Sequence, residues 1–293
     1  MQPVTRFAPA PTGYLHLGHL VNAIHVWGLA RARGGRVLLR IEDHDRQRCR
    51  PEFVNALVED LAWLGFEPDT APEWQSDHMA RYDSALAGLR GRGLHLYACT
   101  CSRKYLARHR SDFRDQETPY DGHCRERGLA MAPGCGLRLV MAPGEEAFTD
   151  LILGPQRQNP SLQCGDLLLR DRLGNWTYQF AVVVDDLADG VNLVIRGEDL
   201  LQSTGRQIRL ASLLGRTVPP RYAHHTLIRH PGGEKLSKAN RDTSVRELRA
   251  AGHSAADLLG RAAAMSGLIP MPAPLSVKEL PSLFSRPLPF EAS

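Results

Sequence analysis

Two short segments near opposite ends of the chain carry residue types suited to handling phosphate. His16-Leu17-Gly18-His19 sets two imidazoles around a glycine. Imidazole N–H groups donate to phosphate oxygens and stabilise charge that builds up during group transfer, and glycine lets a nucleotide approach the backbone closely. Lys235-Leu236-Ser237-Lys238, entered through Gly232-Gly233, puts two ammonium groups and a hydroxyl within four residues. Lysine serves there as a mobile point charge and serine adds a hydrogen bond. Taken singly, the first segment reads more readily as a histidine-containing turn and the second as a charged surface loop. Neither is a Walker A loop, because the required glycine pattern is absent. The candidate catalytic residues are therefore His16, His19, Lys235 and Lys238. The candidate nucleotide contacts are His16, Gly18, His19, Leu236, Ser237 and Lys238.

A third group is suited to a metal. Cys99-Thr100-Cys101 is followed by Tyr120-Asp121-Gly122-His123-Cys124. Thiolates are soft ligands that suit zinc, and a structural zinc site takes four ligands in a tetrahedron. Cys99, Cys101 and Cys124 supply three. From ligand chemistry alone, His123 is the first choice for the fourth. Three ordinary reduced thiols are the plain alternative. Cys49, Cys135 and Cys164 are scattered and read as small buried hydrophobes. Six cysteines in 293 residues are too few for a disulfide scaffold.

The elements that would hold these groups follow from the patterning. Val4 to Ala8 reads as a strand, and Pro9-Ala10-Pro11-Thr12-Gly13 as a turn. A helix follows from Gly18, with Leu20, Ile24 and Trp27 on one face, and Gly34-Gly35 ends it. Val37 to Ile41 reads as a buried strand running into Glu42-Asp43-His44-Asp45. Pro51 opens a helix that stops at Gly65, and another covers His78 to Arg90. Strand alternating with helix implies a parallel sheet with right-handed crossovers. Tyr97 to about Val140 reads as an insertion holding the grouped cysteines. Leu167 to Arg170 and Tyr178 to Val184 are expected strands around a turn at Arg172-Leu173-Gly174-Asn175. Val191 to Arg196 is a further strand, and Thr204 to Leu214 a helix. The tail mixes short helices, Val245 to Ala250 and Ser254 to Met265, with proline-rich connectors. The expected division is 1–96 and 141–240 for the two parts of the catalytic domain, the latter with the rest of the insertion. Residues 97–140 form the metal-binding part of the insertion and 241–293 a short appendage.

Composition bounds the rest. Hydrophobic residues make up 43% and charged residues 23%, ordinary for a globular chain with a sizeable core. A net charge of +4 permits a nucleic-acid partner without requiring one. The first residues carry no apolar signal-peptide core, and no apolar run approaches membrane-span length. The expectation is a cytoplasmic monomer with no membrane association. Arg103, Lys104, Arg108, His109 and Arg110 could meet RNA phosphates or simply form a solvated helix face. Asp112, Asp115 and Glu117 soften that patch.

The two phosphate-handling segments together resemble the paired signatures of class I aminoacyl-tRNA synthetases. The fuller opening, Arg6-Phe7-Ala8-Pro9-Ala10-Pro11-Thr12-Gly13-Tyr14-Leu15-His16, is more specific and resembles the glutamyl branch. Arg40-Ile41-Glu42-Asp43, Tyr178-Gln179-Phe180-Ala181-Val182-Val183-Val184-Asp185-Asp186 and Val194-Ile195-Arg196-Gly197-Glu198-Asp199-Leu200 extend the likeness, which runs from about Arg6 to Asn240. It implies an α/β, Rossmann-like catalytic core with an inserted zinc-containing subdomain and a short helical C-terminal appendage. It also implies L-glutamate and ATP as substrates, ATP arriving with Mg2+, for which the sequence offers no protein cage. An amino-acid site of Arg6, Glu42, Tyr178 and Arg196 is implied, with Phe7, Ala8, Pro9 and Ala10 beside it. Glu42 would pair with the ammonium, and Arg6 or Arg196 with a carboxylate. Ala10 departs from the serine common in this family and removes one possible hydroxyl contact. The likeness favours Tyr120 over His123 as fourth zinc ligand, since relatives carry a tyrosine four positions before the last cysteine. A phenolate can serve when the metal lowers its pKa.

Only 55 residues follow Lys238 in this chain of 293, broken by Pro270, Pro272, Pro274, Pro281, Pro287 and Pro289. That layout resembles the glutamyl-queuosine tRNA(Asp) synthetases, which lack the large anticodon-binding region of glutamyl-tRNA synthetases. The implied acceptor is the queuosine base at the wobble position of tRNA(Asp), reached through the anticodon stem-loop. The alternatives are a truncated glutamyl-tRNA synthetase charging a tRNA 3′ end and a degenerate synthetase-like RNA-binding protein. No general base for the transfer step is identified.

Overall fold

The structure is a computed structural model that describes residues 2–44, 49–102, 104–105, 118–228 and 243–291. In chain order the elements are β1 (Val4–Phe7), α1 (Leu17–Ala32), β2 (Arg36–Ile41), α2 (Pro51–Leu64), β3 (Glu73–Trp74), α3 (Met79–Gly91), β4 (Leu96–Cys99) and β5 (Gly136–Leu139). Then come β6 (Glu146–Asp150), β7 (Gly154–Gln158), a one-turn α4 (Pro160–Gln163), β8 (Leu167–Arg170), α5 (Tyr178–Ala188), β9 (Leu193–Gly197), α6 (Thr204–Leu213) and β10 (Arg221–His225). The tail holds α7 (Val245–Ala250), α8 (Ala255–Met265) and α9 (Leu280–Leu283).

β1, β2 and β3 pair in parallel. A second sheet runs β7-β6-β10-β9, parallel between β6, β10 and β9, with β7 turned back antiparallel on β6. Asn192 joins the two sheets. Its N–H donates to the Val4 carbonyl at 3.0 Å and its side-chain oxygen accepts from the Val4 N–H at 2.8 Å. β1 and β9 thus start at the same level, side by side. From β1 the chain proceeds outward to β2 and β3; from β9 it proceeds the other way to β10. The direction of winding reverses between β1 and β9, and in open α/β sheets the crevice beyond the carboxyl ends at such a point is where ligands bind.

α1 covers this junction, packing on β1, β2 and β9 with α8 and α9 on its far side. It is buried from Val26 through Ala30 without a break, so it has no solvent face to keep polar, as a helix between two layers should. Gly28 sits where α9 comes closest: a Cβ there would lie 2.4 Å from the Phe284 ring. The last described residues close over the other end, with Arg33 paired to Glu291 and the Phe290 N–H donating to the Leu151 carbonyl at 3.1 Å. The third sheet, β4-β5-β8, is antiparallel and includes residues of the stretch expected to be an insertion.

The sequence expectation fails at one element. Tyr178 to Val184 is the start of helix α5 and not a strand. Five apolar residues in a row fit a buried helix as well as a buried strand. Here the helix puts Phe180 to Val184 into the core between α3, α5 and β8, and continues into Asp185 and Asp186, which turn inward. The turn at Arg172 to Asn175 is present and leads from β8 straight into α5.

Candidate active site and metal centre

The crevice at the β1/β9 junction collects Arg6, Glu42, Tyr178 and Arg196, the four residues expected to form an amino-acid site. Arg6 lies in β1, Glu42 follows β2, Arg196 lies in β9 and Tyr178 opens α5. The charges of Arg196, Glu42 and Arg6 all act on the Tyr178 phenol, whose pKa burial raises. The Pro9-Ala10 turn is tied to the same place, since the Glu42 N–H donates to the Pro9 carbonyl at 3.1 Å.

Glu42 is 7% exposed. Burial raises its carboxyl pKa to about 7 against the opposing pull of Arg40 and Arg6. Among the described residues its carboxylate accepts no hydrogen bond. A buried carboxylate in that state is held toward its neutral form until an opposite charge comes near it.

Arg6 is anchored from below. Its Nε donates to both Asp186 oxygens, at 2.9 and 3.2 Å. Arg40 reaches the same Asp186 at 2.7 Å and Asp189 at 2.6 Å. Burial opposes ionisation of Asp186, but Arg6 and Arg40 together hold its pKa below the ordinary carboxylate value. Asp185 takes Tyr82, Gln75 and Arg81 at 2.8 to 2.9 Å. His44, assigned no role from sequence, joins through Gln75. Sequence reasoning missed Arg40, Asp185, Asp186 and Asp189 as a floor to the site. The available signal was charge embedded in apolar runs, which is retained only when paired.

Arg196 is held by His224, Gln207, Thr204 and the Leu200 carbonyl. None of these side chains was singled out from sequence.

His16 and His19 cap α1. The Gly18 N–H donates to His16 Nδ1 and the His16 N–H to His19 Nδ1, both at 3.1 Å. The rings lie 3.9 Å apart. A Cβ on Gly18 would meet the His16 ring at 2.9 Å, so glycine is what lets the ring fold back. With Nδ1 accepting in both, each neutral imidazole carries its proton on Nε2, the donor form. They sit at the N-terminus of a sixteen-residue helix with no acidic residue in its first turn, which favours an anion.

Lys235, Leu236, Ser237 and Lys238 lie outside the described residues, as do Arg103, Arg108, His109 and Arg110. The nearest described residues on either side of 235–238, up to Ile228 and from Thr243, flank the crevice. Before it, the Leu227 N–H donates to Glu198 at 3.2 Å, just past the end of β9. After it, Ser244 bridges to His16 and the Val245 N–H donates to the Leu15 carbonyl at 2.8 Å.

The sulfurs of Cys99, Cys101 and Cys124 lie within 4.8 Å of one another. The Tyr120 oxygen is 3.5 Å from the Cys99 sulfur and 3.6 Å from that of Cys101, which is 3.6 Å from the Cys124 sulfur. A zinc tetrahedron with bonds of about 2.3 Å to sulfur and 2.0 Å to oxygen has edges of about 3.8 Å and 3.5 Å. The three distances above lie close to those edges, and the remaining sulfur–sulfur separations stay within 4.8 Å. His123 is exposed and turned toward Arg127 and Tyr105. Arg138 backs the cluster, donating to the Cys99 sulfur at 3.4 Å with its guanidinium 3.6 Å above the Tyr120 ring.

Comparison with known proteins adds the following. A family model described as tRNA synthetases class I (E and Q), catalytic domain, matches residues 2–263. The chain is 41% identical over 297 residues to a glutamyl-Q tRNA(Asp) synthetase of Symbiobacterium thermophilum, covering 95% of this chain and 91% of that one. It is 43% identical to a glutamate–tRNA ligase 1 of Acidithiobacillus ferrooxidans, covering 85% of this chain and 53% of the ligase. A solved glutamate–tRNA ligase of Elizabethkingia meningosepticum, in complex with its amino acid, superposes with a TM-score of 0.78 at 25% identity. That superposition covers 100% of this chain and 68% of the ligase. No helix among the described residues is long and apolar enough to cross a membrane.

Proposed function

The chain belongs to the class I tRNA synthetases of the glutamate and glutamine branch, and we propose that it activates L-glutamate with ATP and passes it to the queuosine base of tRNA(Asp). The observation that carries the amino-acid assignment is Glu42, a buried carboxylate without a hydrogen-bond partner among the described residues, set between the arginines of β1 and β2. An amino acid's ammonium completes it, and Arg6 and Arg196 supply cations for two carboxylates. A substrate with one ammonium and two carboxylates matches that charge arrangement.

In the first step a glutamate α-carboxylate oxygen attacks the α-phosphorus of ATP. The bond to pyrophosphate breaks and glutamyl-adenylate forms. The Nε2–H groups of His16 and His19, with Lys238 and secondarily Lys235, stabilise charge on the phosphates in the transition state. In the second step a hydroxyl of the queuosine cyclopentene ring attacks the activated carbonyl and loses its proton, and AMP leaves.

The acceptor assignment is supported by the relatives. The match to a glutamyl-Q tRNA(Asp) synthetase runs along nearly the whole of both chains, whereas that to a glutamate–tRNA ligase covers about half of the ligase. Cys99, Cys101, Cys124 and Tyr120 would hold one zinc ion, and the metal would brace the inserted segment. Glutamate-dependent exchange of labelled pyrophosphate into ATP tests the activation step. Exchange that aspartate or glutamine drives as well as glutamate would overturn the substrate assignment.

A further inference from the structure

An arginine has five N–H hydrogens, and the fold accounts for four of those on Arg196. Its Nε donates to His224 Nε2 at 3.0 Å and Nη1 to Gln207 at 2.7 Å. Nη2 donates to Thr204 at 2.9 Å and to the Leu200 carbonyl at 3.3 Å. Among the described residues one Nη1 hydrogen remains. Arg6 is the reverse case, since only its Nε is spent, on Asp186. Arg6 can therefore meet a carboxylate with two parallel N–H groups, whereas Arg196 can offer a single bond whose direction its protein partners fix.

The bond to His224 is the one that depends on the chemical state of the partner. Only an unprotonated Nε2 accepts. His224 Nδ1 lies 2.6 Å from an Asp150 oxygen, so the proton sits on Nδ1 and the lone pair faces Arg196. Asp150 is itself fixed by the Ile152 and Leu153 N–H groups, at 3.0 and 2.9 Å. His224 and Asp150 are both fully buried. The charged groups acting on His224 are Asp150 from β6, Arg196 from β9 and Asp199 just beyond it. Tyr222 stacks on it within its own strand, and Thr204 of α6 lies 3.3 Å from Nε2.

We propose that His224, held in its Nδ1–H form by Asp150, is a positioning residue that aims the remaining N–H of Arg196 at a carboxylate of the amino acid. The pair sets glutamate affinity without meeting the substrate. This rests on the assignment of Arg196 to the amino-acid site.

The test is the Michaelis constants for glutamate and ATP in pyrophosphate exchange, with thermal unfolding measured beside them. His224→Leu removes the acceptor and is expected to raise the glutamate KM about tenfold, the worth of one charge-assisted bond, with the ATP KM within twofold. His224→Gln offers an amide oxygen to the same N–H and returns the glutamate KM to within about threefold of wild type. Asp150→Asn, which no longer fixes the tautomer, raises it. A leucine variant with the wild-type glutamate KM overturns the proposal. So does a parallel rise in both KM values with a fall in unfolding temperature, which marks a general structural role. If the leucine variant does not fold, the glutamine and asparagine variants decide: equal glutamate KM values in the two overturn it. Arg196→Gln separates the premise. An unchanged glutamate KM there removes Arg196 from the site, whereas a raised value beside an unaffected His224→Leu defeats this proposal alone.

Discussion

Asp186 holds the Nε of Arg6 between its two carboxylate oxygens, at 2.9 and 3.2 Å, and the same carboxylate takes Arg40 at 2.7 Å. One side chain of α5 thereby fixes the ends of two neighbouring strands at the crevice. Replacing Asp186 by asparagine is expected to free Arg6 and leave Arg40 short of a counter-charge. Breaking a buried pair from one side costs about 3 to 5 kcal/mol, and part of that will appear in urea unfolding. The glutamate KM should rise at least about tenfold. A variant with wild-type stability and KM would contradict the role given to Asp186.

Glu42 gives the site a pH dependence of known sign. Burial places its pKa near 7, so a proton occupies it below that pH in the free protein. An incoming ammonium favours the ionised form, and binding must expel the proton. Glutamate affinity should therefore strengthen as the pH rises from 6 to 8. Titration calorimetry at pH 6.5 in two buffers of different ionisation enthalpy should show proton release. Glu42→Gln should weaken binding at pH 8 and remove the proton release. Binding to the native protein that is flat with pH would show that Glu42 does not meet the ammonium.

The sequence shows some of this arrangement and hides the rest for a physical reason. The opening strand, the first helix after Gly18, the Pro51 helix start and the cysteine spacing are local patterns, and each appears where local chemistry puts it. The floor of the site is not local. Arg6 meets a residue 180 positions away, and His224 one 74 positions away. No spacing rule links such pairs. Reading Tyr178 to Val184 as a strand also concealed Asp186, because alternation along a strand would turn Asp185 and Asp186 to opposite faces. On the helix both point inward. Which of Tyr120 and His123 lies beside the sulfurs is likewise a matter of tertiary packing, which sequence spacing does not encode.

The metal site makes a separable prediction. Elemental analysis of protein purified without chelator should find one zinc per chain. Cys124→Ser should lose it, and Tyr120→Phe should release it faster to a competing chelator. His123→Ala should retain it, because that ring is exposed and turned away. Zinc lost from the His123 variant and kept in the Tyr120 variant would reverse the ligand assignment.

His25 should withdraw stability in mild acid, away from the crevice and against the opposite contribution of Glu42, whose raised pKa favours the folded protein there. His25 is buried in α1 and stacked 4.4 Å from His225. Burial, and next to it His225, lowers its pKa from 6.5 to about 3. The unfolded chain thus binds a proton that the folded chain does not. The contribution is fully present above pH 6.5 and is withdrawn as the pH falls from there toward 3. Between pH 6.5 and 5 the His25 contribution to the unfolding free energy should drop with a slope approaching ~1.4 kcal/mol per pH unit. His25→Gln should remove that contribution from the measured slope, and an equal slope in the variant would place the loss elsewhere.

The destination of the activated glutamate separates a wobble-base acceptor from a tRNA 3′ end. Incubation with ATP, labelled glutamate and tRNA(Asp), carrying or lacking queuosine, followed by nuclease cleavage of the RNA, locates the label directly. Label should appear in the anticodon fragment when queuosine is present and not when it is absent. Label on the 3′-terminal adenosine, independent of queuosine, would contradict a wobble-base acceptor.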